Sequence, residues 1–359
     1  MKNQDKLLQI LKKTYRTAQG MLPDETALLS AAQLLLAKGA EKRRLTCEEI
    51  TEVWKICILP PDSQAPADDW LLHCYRYLRN NLFPHLDPPE DASAFTSQRD
   101  SLLRFLRAVF EFERNTLPFD PRMDMLLLSD QQIRSAGYNE EYLQMKKLAQ
   151  DYYVYEFMRI GRDITPFNTL GHVSGVHYVA MYTAEQLAQT GVPLDLGLVS
   201  AASACHDIGK YGCRKMEEGR VPYLHYYYTD YCLNRGGLAT IAHIAANHST
   251  WDLELENLSA ESLLLIYADF RTKSSRDAEG REAIHFYNLA EAFQVILDKL
   301  DNVDEAKRHR YIRVYNKLKD FEDYMVEHGV DTIIEDNAPA YPEHCLRAPV
   351  PAEQPRYRF

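Results

Sequence analysis

Apolar residues recur at helical spacing along most of this chain. Leu7, Ile10 and Leu11 fall on one stripe of a helix near the start. Residues 27–38 are rich in Ala and Leu, which favour helices, and Gly39 is a suitable helix end. Runs that alternate between apolar and polar positions, which would indicate strands, are too short to be convincing. The pattern therefore predicts an all-α fold.

Two capping boxes mark predicted helix starts. Thr46 and Glu49 have the spacing at which each side chain can bond the backbone of the other residue. Apolar residues up to Trp54 follow at helical spacing and would form the inner face of that helix. Ser129 and Gln132 have the same form. Both positions are expected to begin helices.

The character of the chain changes along its length. Pro-rich loops at residues 60–67 and 83–94 interrupt the first helical region, and histidines and acidic residues recur at helical breaks further on. A chain of 359 residues is long enough for two domains. We therefore expect a helical accessory or interaction domain at residues 1–150, a second helical domain at 151–330 and a Pro-rich tail at 331–359.

Composition narrows the classes of partner. The formal net charge of -11 disfavours binding to nucleic acid or to anionic membranes, because both attract Lys and Arg. The seven cysteines include no CxxC pair, which is typical of buried thiols in a reducing cytosol. The sequence shows neither a signal peptide nor an apolar run of about 18 residues. These features predict a soluble cytoplasmic protein. The acidic composition does not exclude a small anionic substrate.

Potential metal ligands sit at the ends of apolar helices in the second half of the chain. His172 opens one such helix, His206 and Asp207 close another, and Asp269 closes a third. Imidazoles and carboxylates are costly to bury there unless something pairs them, and a divalent metal does so. Mixed His and Asp ligands suit Mn, Fe, Co, Ni or Zn, and the lack of Cys ligands argues against a closed structural zinc site.

This spacing resembles the H…HD…D signature of the HD-domain metal-dependent phosphohydrolases. The His206-Asp207 pair follows His172 by about 34 positions, and Asp269 comes about 62 positions later. The fragment HDIGK, which ends at Lys210, is the most specific piece. The resemblance covers roughly residues 153–327. It implies a helical bundle in which the four matching residues bind the first metal.

The chain is also similar to the HD-GYP-like branch of that family, which adds metal-binding histidines. His225 falls where one such histidine is expected, and residues 247–252 resemble the HHExWDG motif with His248 as its second histidine. Asn247 replaces the first histidine, Ser249 replaces the glutamate, and the Gly-Tyr-Pro triplet is absent. These departures from the motif favour two metals over three and argue against cyclic di-GMP as the substrate, while hydrolysis of another nucleotide stays open.

Roles follow for the residues around these ligands. The resemblance implies that Lys210 neutralises substrate phosphate or orients the nucleophile, and Asp207 is our candidate for a bridging ligand. Arg271 and Lys273 lie just past Asp269, where they could contact a phosphate.

Three neighbouring residues receive other interpretations. His243 is five positions before His248 and points to a different helical face, so we expect it to be a core or surface residue. By the same spacing argument, His177 is expected behind the ligands. Cys205 has small apolar neighbours and is expected to be a buried structural thiol.

The resulting hypothesis is a phosphohydrolase that cleaves a phosphomonoester or phosphodiester, with a nucleotide as the expected substrate. A metal-activated hydroxide would be the nucleophile. Two alternatives stay open. In the first, the second domain binds a nucleotide or a metal without turnover, and the protein acts as a regulator or scaffold. In the second, residues 1–150 are the functional part and bind a protein partner. The hypothesis places two divalent transition metal ions on six residues: His172, His206, Asp207, His225, His248 and Asp269.

Overall fold

The computed structural model describes residues 2–16, 23–67, 69–248, 258–299, 304–334 and 336. Over these residues the chain is mostly helical, and the remaining regular structure is one two-stranded antiparallel sheet. The prediction of an all-α fold is confirmed. No helix of the described ranges combines the length and the apolar character that crossing a bilayer requires. Most of the predicted Pro-rich tail lies outside the described residues.

The chain divides into two compact units. The first comprises Met1–Phe119 and Ala149–Phe167, and the second comprises Asp120–Leu148 and Asn168–Phe359. The sequence pattern predicted one boundary near residue 150. In the structure, residues 120–148 belong to the second unit and residues 149–167 to the first. An amphipathic helix shows which of its faces is buried, but not which neighbour buries it.

The described helices before residue 168 are α1 (Lys2–Arg16), α2 (Glu25–Ala37), α3 (Cys47–Cys57), α4 (Trp70–Leu82), α5 (Thr96–Arg114), α6 (Asp130–Ala136), α7 (Glu141–Asp151) and α8 (Val154–Ile164). Both predicted capping boxes are formed, by Thr46 with Glu49 at α3 and by Ser129 with Gln132 at α6. These two helix starts therefore follow from local hydrogen bonding alone.

The described helices after residue 167 are α9 (Thr169–Gln189), α10 (Leu196–Cys205), α11 (Val221–Arg235), α12 (Ala239–Ala246), α13 (Ala260–Arg271), α14 (Leu289–Lys299) and α15 (Glu305–Glu327). Two 3₁₀ turns, Ile208–Gly212 and Lys215–Arg220, connect α10 to α11. Helix α9 is central to the second unit, since it contacts α10, α13 and the sheet and almost all of its residues are buried.

A β-hairpin interrupts the helices after α13. Strands β1 (Thr272–Arg276) and β2 (Glu282–Phe286) pair antiparallel, with Thr272 opposite Phe286. This hairpin was not predicted from the sequence, although burial alternates over residues 284–286 and Gly280 adopts a positive φ in the turn. The hairpin lies close to α9, because a Cβ added at Gly175 would come within 2.9 Å of Thr272 Cγ2.

A fully buried ion pair lies in the core of the first unit. Arg159 Nη1 of α8 is 2.7 Å from Glu113 Oε2 of α5, and both side chains are inaccessible to solvent. The backbone N–H of Leu45 donates to Glu113 Oε1 (2.8 Å), and Arg159 Nη2 donates to the carbonyl oxygen of Leu45 (2.9 Å). The guanidinium also stacks over Phe110, 3.8 Å from the ring centroid. The pair thus joins α5 and α8 to the segment that precedes α3.

Replacing Arg159 with Met is expected to lower the free energy of unfolding of the first unit by about 3–5 kcal/mol, because Glu113 would remain buried without its cation. Urea denaturation followed by tryptophan fluorescence measures this, since Trp54 and Trp70 are buried in the same unit. Lys38→Ala is the matched control, because Lys38 pairs with Glu52 at the surface (3.0 Å) and should contribute less than about 1 kcal/mol. Equal effects of the two substitutions would contradict a dominant role for the buried pair.

Candidate metal centre

The fold brings the six predicted metal ligands into one cluster in the second unit. Two groups of donor atoms share one carboxylate: His172, His206 and Asp207 form the first, and Asp207, His225 and His248 form the second. Within each group all ligand atoms lie within 4.8 Å of one another. Asp269 joins the first group through an Oδ1 atom 3.0 Å from His172 Nε2.

Each ligand is placed by a helix or by a helix end. His172 lies in the first turn of α9, and Asn168 caps this helix by accepting a hydrogen bond from Gly171 N–H. The backbone N–H of Asn168 in turn donates a hydrogen bond to the Glu282 carboxylate of the hairpin. The other ligands come from the C-terminal end of α10, from α11, from the residues after α12 and from α13: His206, Asp207, His225, His248 and Asp269.

The two oxygen atoms of Asp207 face different histidines. Oδ2 lies 3.3 Å from His172 Nε2 and 3.5 Å from His206 Nε2. Oδ1 lies 3.6 Å from His225 Nε2 and 3.9 Å from His248 Nε2. The carboxylate itself is almost completely buried. One carboxylate therefore lies between two separate sets of imidazole nitrogens.

Backbone carbonyls orient the three buried histidines. The Nδ1 atoms lie 2.8 Å from Ser203 O for His206, 2.8 Å from Val221 O for His225 and 2.6 Å from Ala245 O for His248. A carbonyl oxygen can only accept, so each Nδ1 carries the proton and donates it. The Nε2 atom of each neutral ring then presents a lone pair towards Asp207. This is the arrangement in which proteins hold histidine for metal ligation.

Burial keeps these rings neutral. It lowers the pKa of His225 and of His248 to about 4 and also lowers the pKa of His206. Burial opposes ionisation of Asp207, yet the positive charge of Lys210 holds the pKa of this carboxyl well below its usual range. Neutral imidazoles and an ionised carboxylate are the protonation states that bind metal.

The donor set fits a divalent metal. Oδ2 of Asp207 is buried; it pairs with Lys210 Nζ at 2.5 Å and also faces the Nε2 atoms of His172 and His206. The Nε2 lone pair of His206 faces this anionic oxygen, and a cation between the two atoms would remove their mutual repulsion. Imidazole with carboxylate suits first-row transition metals better than calcium or magnesium. The cluster can therefore hold metal ions.

One side of the cluster is open to solvent. The side chains of His172, Asp269 and Lys210 are 15%, 26% and 36% exposed, whereas those of His206, His225 and His248 are at most 5% exposed. A closed structural site would bury all of its ligands. An exposed edge would let a small molecule reach ions held by these ligands.

Two residues that position the ligands, Thr229 and Gly209, were not predicted to do so from the sequence. Thr229 Oγ1 of α11 accepts a hydrogen bond from Gly209 N–H (3.0 Å) and donates one to His206 O (3.0 Å). A Cβ at Gly209 would lie 2.0 Å from His225 O and 2.3 Å from Thr229 N. The 3₁₀ turn after the His-Asp pair can therefore approach α11 only through glycine. The fragment HDIGK contains this glycine, but its partner helix is not apparent from the sequence.

The predicted phosphate contact of Arg271 is corrected by its geometry. Its Nε donates to Tyr287 O (2.7 Å), and its Nη1 donates to Tyr267 Oη (2.6 Å) and to Thr332 O (2.8 Å). Arg271 also lines a cavity of about 640 Å³ to which none of the six ligands contributes. Two residues along a helix correspond to about 200°, so Arg271 points away from the face that carries Asp269.

Four further residues that the sequence suggested differ in their surroundings: Lys273, His243, His177 and Cys205. Lys273 is in β1, and its Nζ donates to Asp269 O (2.7 Å), so it lies beside the cluster. His243 is exposed, whereas His248 is the histidine that faces Asp207. His177 is buried with its Nε2 2.9 Å from Ser200 Oγ. Burial raises the pKa of the Cys205 thiol to about 12, as expected for an unreactive thiol. Residues 249–252 of the HHExWDG-like segment lie outside the described residues.

Comparisons with known proteins found no match to this chain among family models, curated proteins or solved structures.

Gly209→Ala is expected to abolish high-affinity metal binding, because the added methyl group would push the 3₁₀ turn away from α11, which carries His225. Metal content per chain after purification without chelators measures the effect. Gly219→Ala is the matched control. Gly219 lies in the second 3₁₀ turn between α10 and α11, and a Cβ there would meet nothing within 4 Å. Retention of full metal content by the Gly209 variant would show that this approach does not position the ligands.

Proposed function

We propose that this protein is a metal-dependent phosphohydrolase of the HD type. The observation that carries the proposal is the position of Asp207, whose two oxygens face two different pairs of histidine Nε2 atoms. A carboxylate with this geometry suits a shared ligand of two neighbouring cations. The resemblance of HDIGK and its flanking His and Asp to HD phosphohydrolases supports the same conclusion.

The ligands divide between two ions in the proposal. His172, His206 and Asp269 would hold the first ion, His225 and His248 the second, and Asp207 would contact both. Mn, Fe, Co, Ni and Zn suit this donor set. When bound, such ions supply a nucleophilic water at neutral pH and neutralise charge on a phosphoryl group.

Among the residues that the structure describes, Lys210 is the one best placed to act on a substrate. Its Nζ lies 2.5 Å from Asp207 Oδ2, and its side chain is partly exposed at the open edge of the cluster. Burial disfavours the charged ammonium, but Asp207 raises the pKa of Lys210 above its ordinary value, so the group stays protonated. A cation held at this edge offsets the negative charge of a phosphate that approaches the cluster. Lys273, beside Asp269, would add a second positive charge.

The substrate class is a small phosphomonoester or phosphodiester, with a nucleotide as the first choice to test. An acidic chain disfavours long nucleic acids, because their binding depends on many Lys and Arg contacts to phosphate. A small substrate needs only the local positive charge of the cluster. Metal binding without turnover of any phosphoester would instead favour the regulatory alternative.

The two-ion arrangement predicts a graded loss of metal. Wild-type protein should carry about two transition metal ions per chain, His225→Ala about one, and Asp207→Ala almost none, because only Asp207 contacts both groups. Elemental mass spectrometry of protein purified without chelators measures these contents, and circular dichroism shows whether each variant is folded.

The control for this series is Asp230→Ala, since Asp230 is an exposed residue of α11 and should leave the metal content unchanged. A wild-type protein that binds no ion after incubation with each candidate metal would overturn the proposal. Loss of the same amount of metal in the His225 and Asp207 variants would argue for a single ion.

Lys210→Gln is expected to lower kcat for a phosphoester substrate by roughly a hundredfold while the metal content stays at the wild-type level, because the side chain offsets charge that develops on the phosphoryl group. Steady-state kinetics on the metal-loaded enzyme measures this. Lys215→Gln is the matched control, since Lys215 is exposed in the next 3₁₀ turn. An unchanged kcat in the Lys210 variant would remove this residue from the mechanism.

A further inference from the structure

The outer face of the β-hairpin carries a chain of hydrogen bonds between three side chains that the proposed phosphohydrolase does not use. Ser275 in β1 pairs with Ala283, and Lys273 pairs with His285. Residues two positions apart on a strand share one face, so Ser275 and His285 are diagonal neighbours on the same side of the hairpin. Asp336 approaches that side from beyond α15.

The three side chains are linked in the order that nucleophilic catalysis requires. His285 Nε2 lies 2.8 Å from Ser275 Oγ, and His285 Nδ1 lies 2.7 Å from Asp336 Oδ2. An ionised carboxylate only accepts, so Nδ1 carries the ring proton and donates it to Asp336. Nε2 is then free to accept the proton of the Ser275 hydroxyl. A serine activated by a histidine that a carboxylate orients is the arrangement of serine hydrolases.

The carboxylate is held in place from its other side. Asp336 Oδ1 accepts hydrogen bonds from Phe286 N–H (2.8 Å) and from Arg122 Nη2 (3.0 Å). Arg122 is itself fixed, because its Nε donates to Ile284 O (2.8 Å) and its guanidinium lies over the Phe286 ring. These contacts occupy Oδ1 and leave Oδ2 for the imidazole. The carboxylate therefore has one orientation, as the corresponding residue of a catalytic triad needs.

The serine is accessible to a substrate. Ser275 is exposed, and the His285 side chain is 30% exposed, so a small molecule can reach Oγ from solvent. The buried residues of the hairpin, which include Thr272, Ile284 and Phe286, lie on the opposite face. The hairpin thus presents the nucleophile outward, towards solvent.

We propose that Ser275, His285 and Asp336 form a second hydrolytic site, which acts on activated carboxylic esters. In the first step Ser275 Oγ bonds to the acyl carbon while its proton passes to His285 Nε2. The bond from the acyl carbon to the alcohol oxygen then breaks, and the alcohol leaves with that proton. Water attacks the acyl-serine by the same route, which releases the carboxylic acid and restores the serine.

Aryl esters are the substrate class that this geometry favours. The nucleophile lies within an exposed strand rather than at a helix N-terminus, where backbone N–H groups would stabilise an oxyanion. Esters with a good leaving group depend least on that stabilisation. The expected activity is therefore slow hydrolysis of an aryl ester, distinct from phosphoester cleavage at the metal cluster.

The test is covalent labelling of the full chain with a fluorophosphonate, followed by peptide mass spectrometry, with a chelator present so that metal ions cannot contribute. Ser275 should be the labelled residue. His285→Gln should slow the labelling at least about a hundredfold, because the serine loses its general base. Hydrolysis of p-nitrophenyl acetate should fall by a similar factor in Ser275→Ala.

Ser274→Ala is the matched control, because Ser274 is the neighbouring serine on the other face of β1 and its replacement should change neither rate. Circular dichroism establishes that each variant is folded. An unlabelled Ser275 in the wild-type protein would overturn the proposal, as would equal labelling rates in the wild type and in His285→Gln. The second result would show that the hydrogen bonds only tie the hairpin to the segment that contains Asp336.

Discussion

The Asp207 carboxylate is buried where several helices of the second unit meet, and three imidazoles turn unprotonated nitrogens towards it. A buried anion is expensive unless cations or hydrogen-bond donors compensate it. In this chain Lys210 supplies one cation, and metal ions between the imidazoles and the carboxylate would supply the rest. The positions of α9 to α13 have to satisfy this local need for positive charge as well as the packing of their apolar faces.

The scaffold around Asp207 explains why the ligands converge. Backbone carbonyls near the C-terminal end of α10, at the start of α11 and near the end of α12 orient three rings, so the ligand geometry is set by main-chain positions. Thr229 and Gly209 then fix the distance between the 3₁₀ turn and α11. The open edge at His172, Asp269 and Lys210 distinguishes this centre from a closed structural site. An accessible side is what the proposed phosphoester hydrolysis requires, since the substrate would have to reach ions held by these ligands.

The hairpin after α13 has two roles in the second unit. Its Glu282 side chain holds Asn168, the cap of the helix that begins with His172, so the hairpin supports the cluster. Its outer face carries the hydrogen bonds that link Ser275 to His285 and His285 to Asp336. The hairpin is the only strand structure in the described residues, and it brings together polar side chains that are distant along the chain.

Local features of the sequence were sufficient for much of this description. Helical periodicity and capping boxes predicted the all-α fold, because both depend on residues within a few positions of one another. The cost of burying His206 and Asp207 at a helix end, with the family resemblance, indicated the six residues that the fold brings together. The tertiary structure alone decided which unit buries each helix, where the Arg271 guanidinium points, and that Ser275, His285 and Asp336 meet. Those features depend on contacts between residues far apart in the chain, and the periodicity of one segment carries no information about its partner.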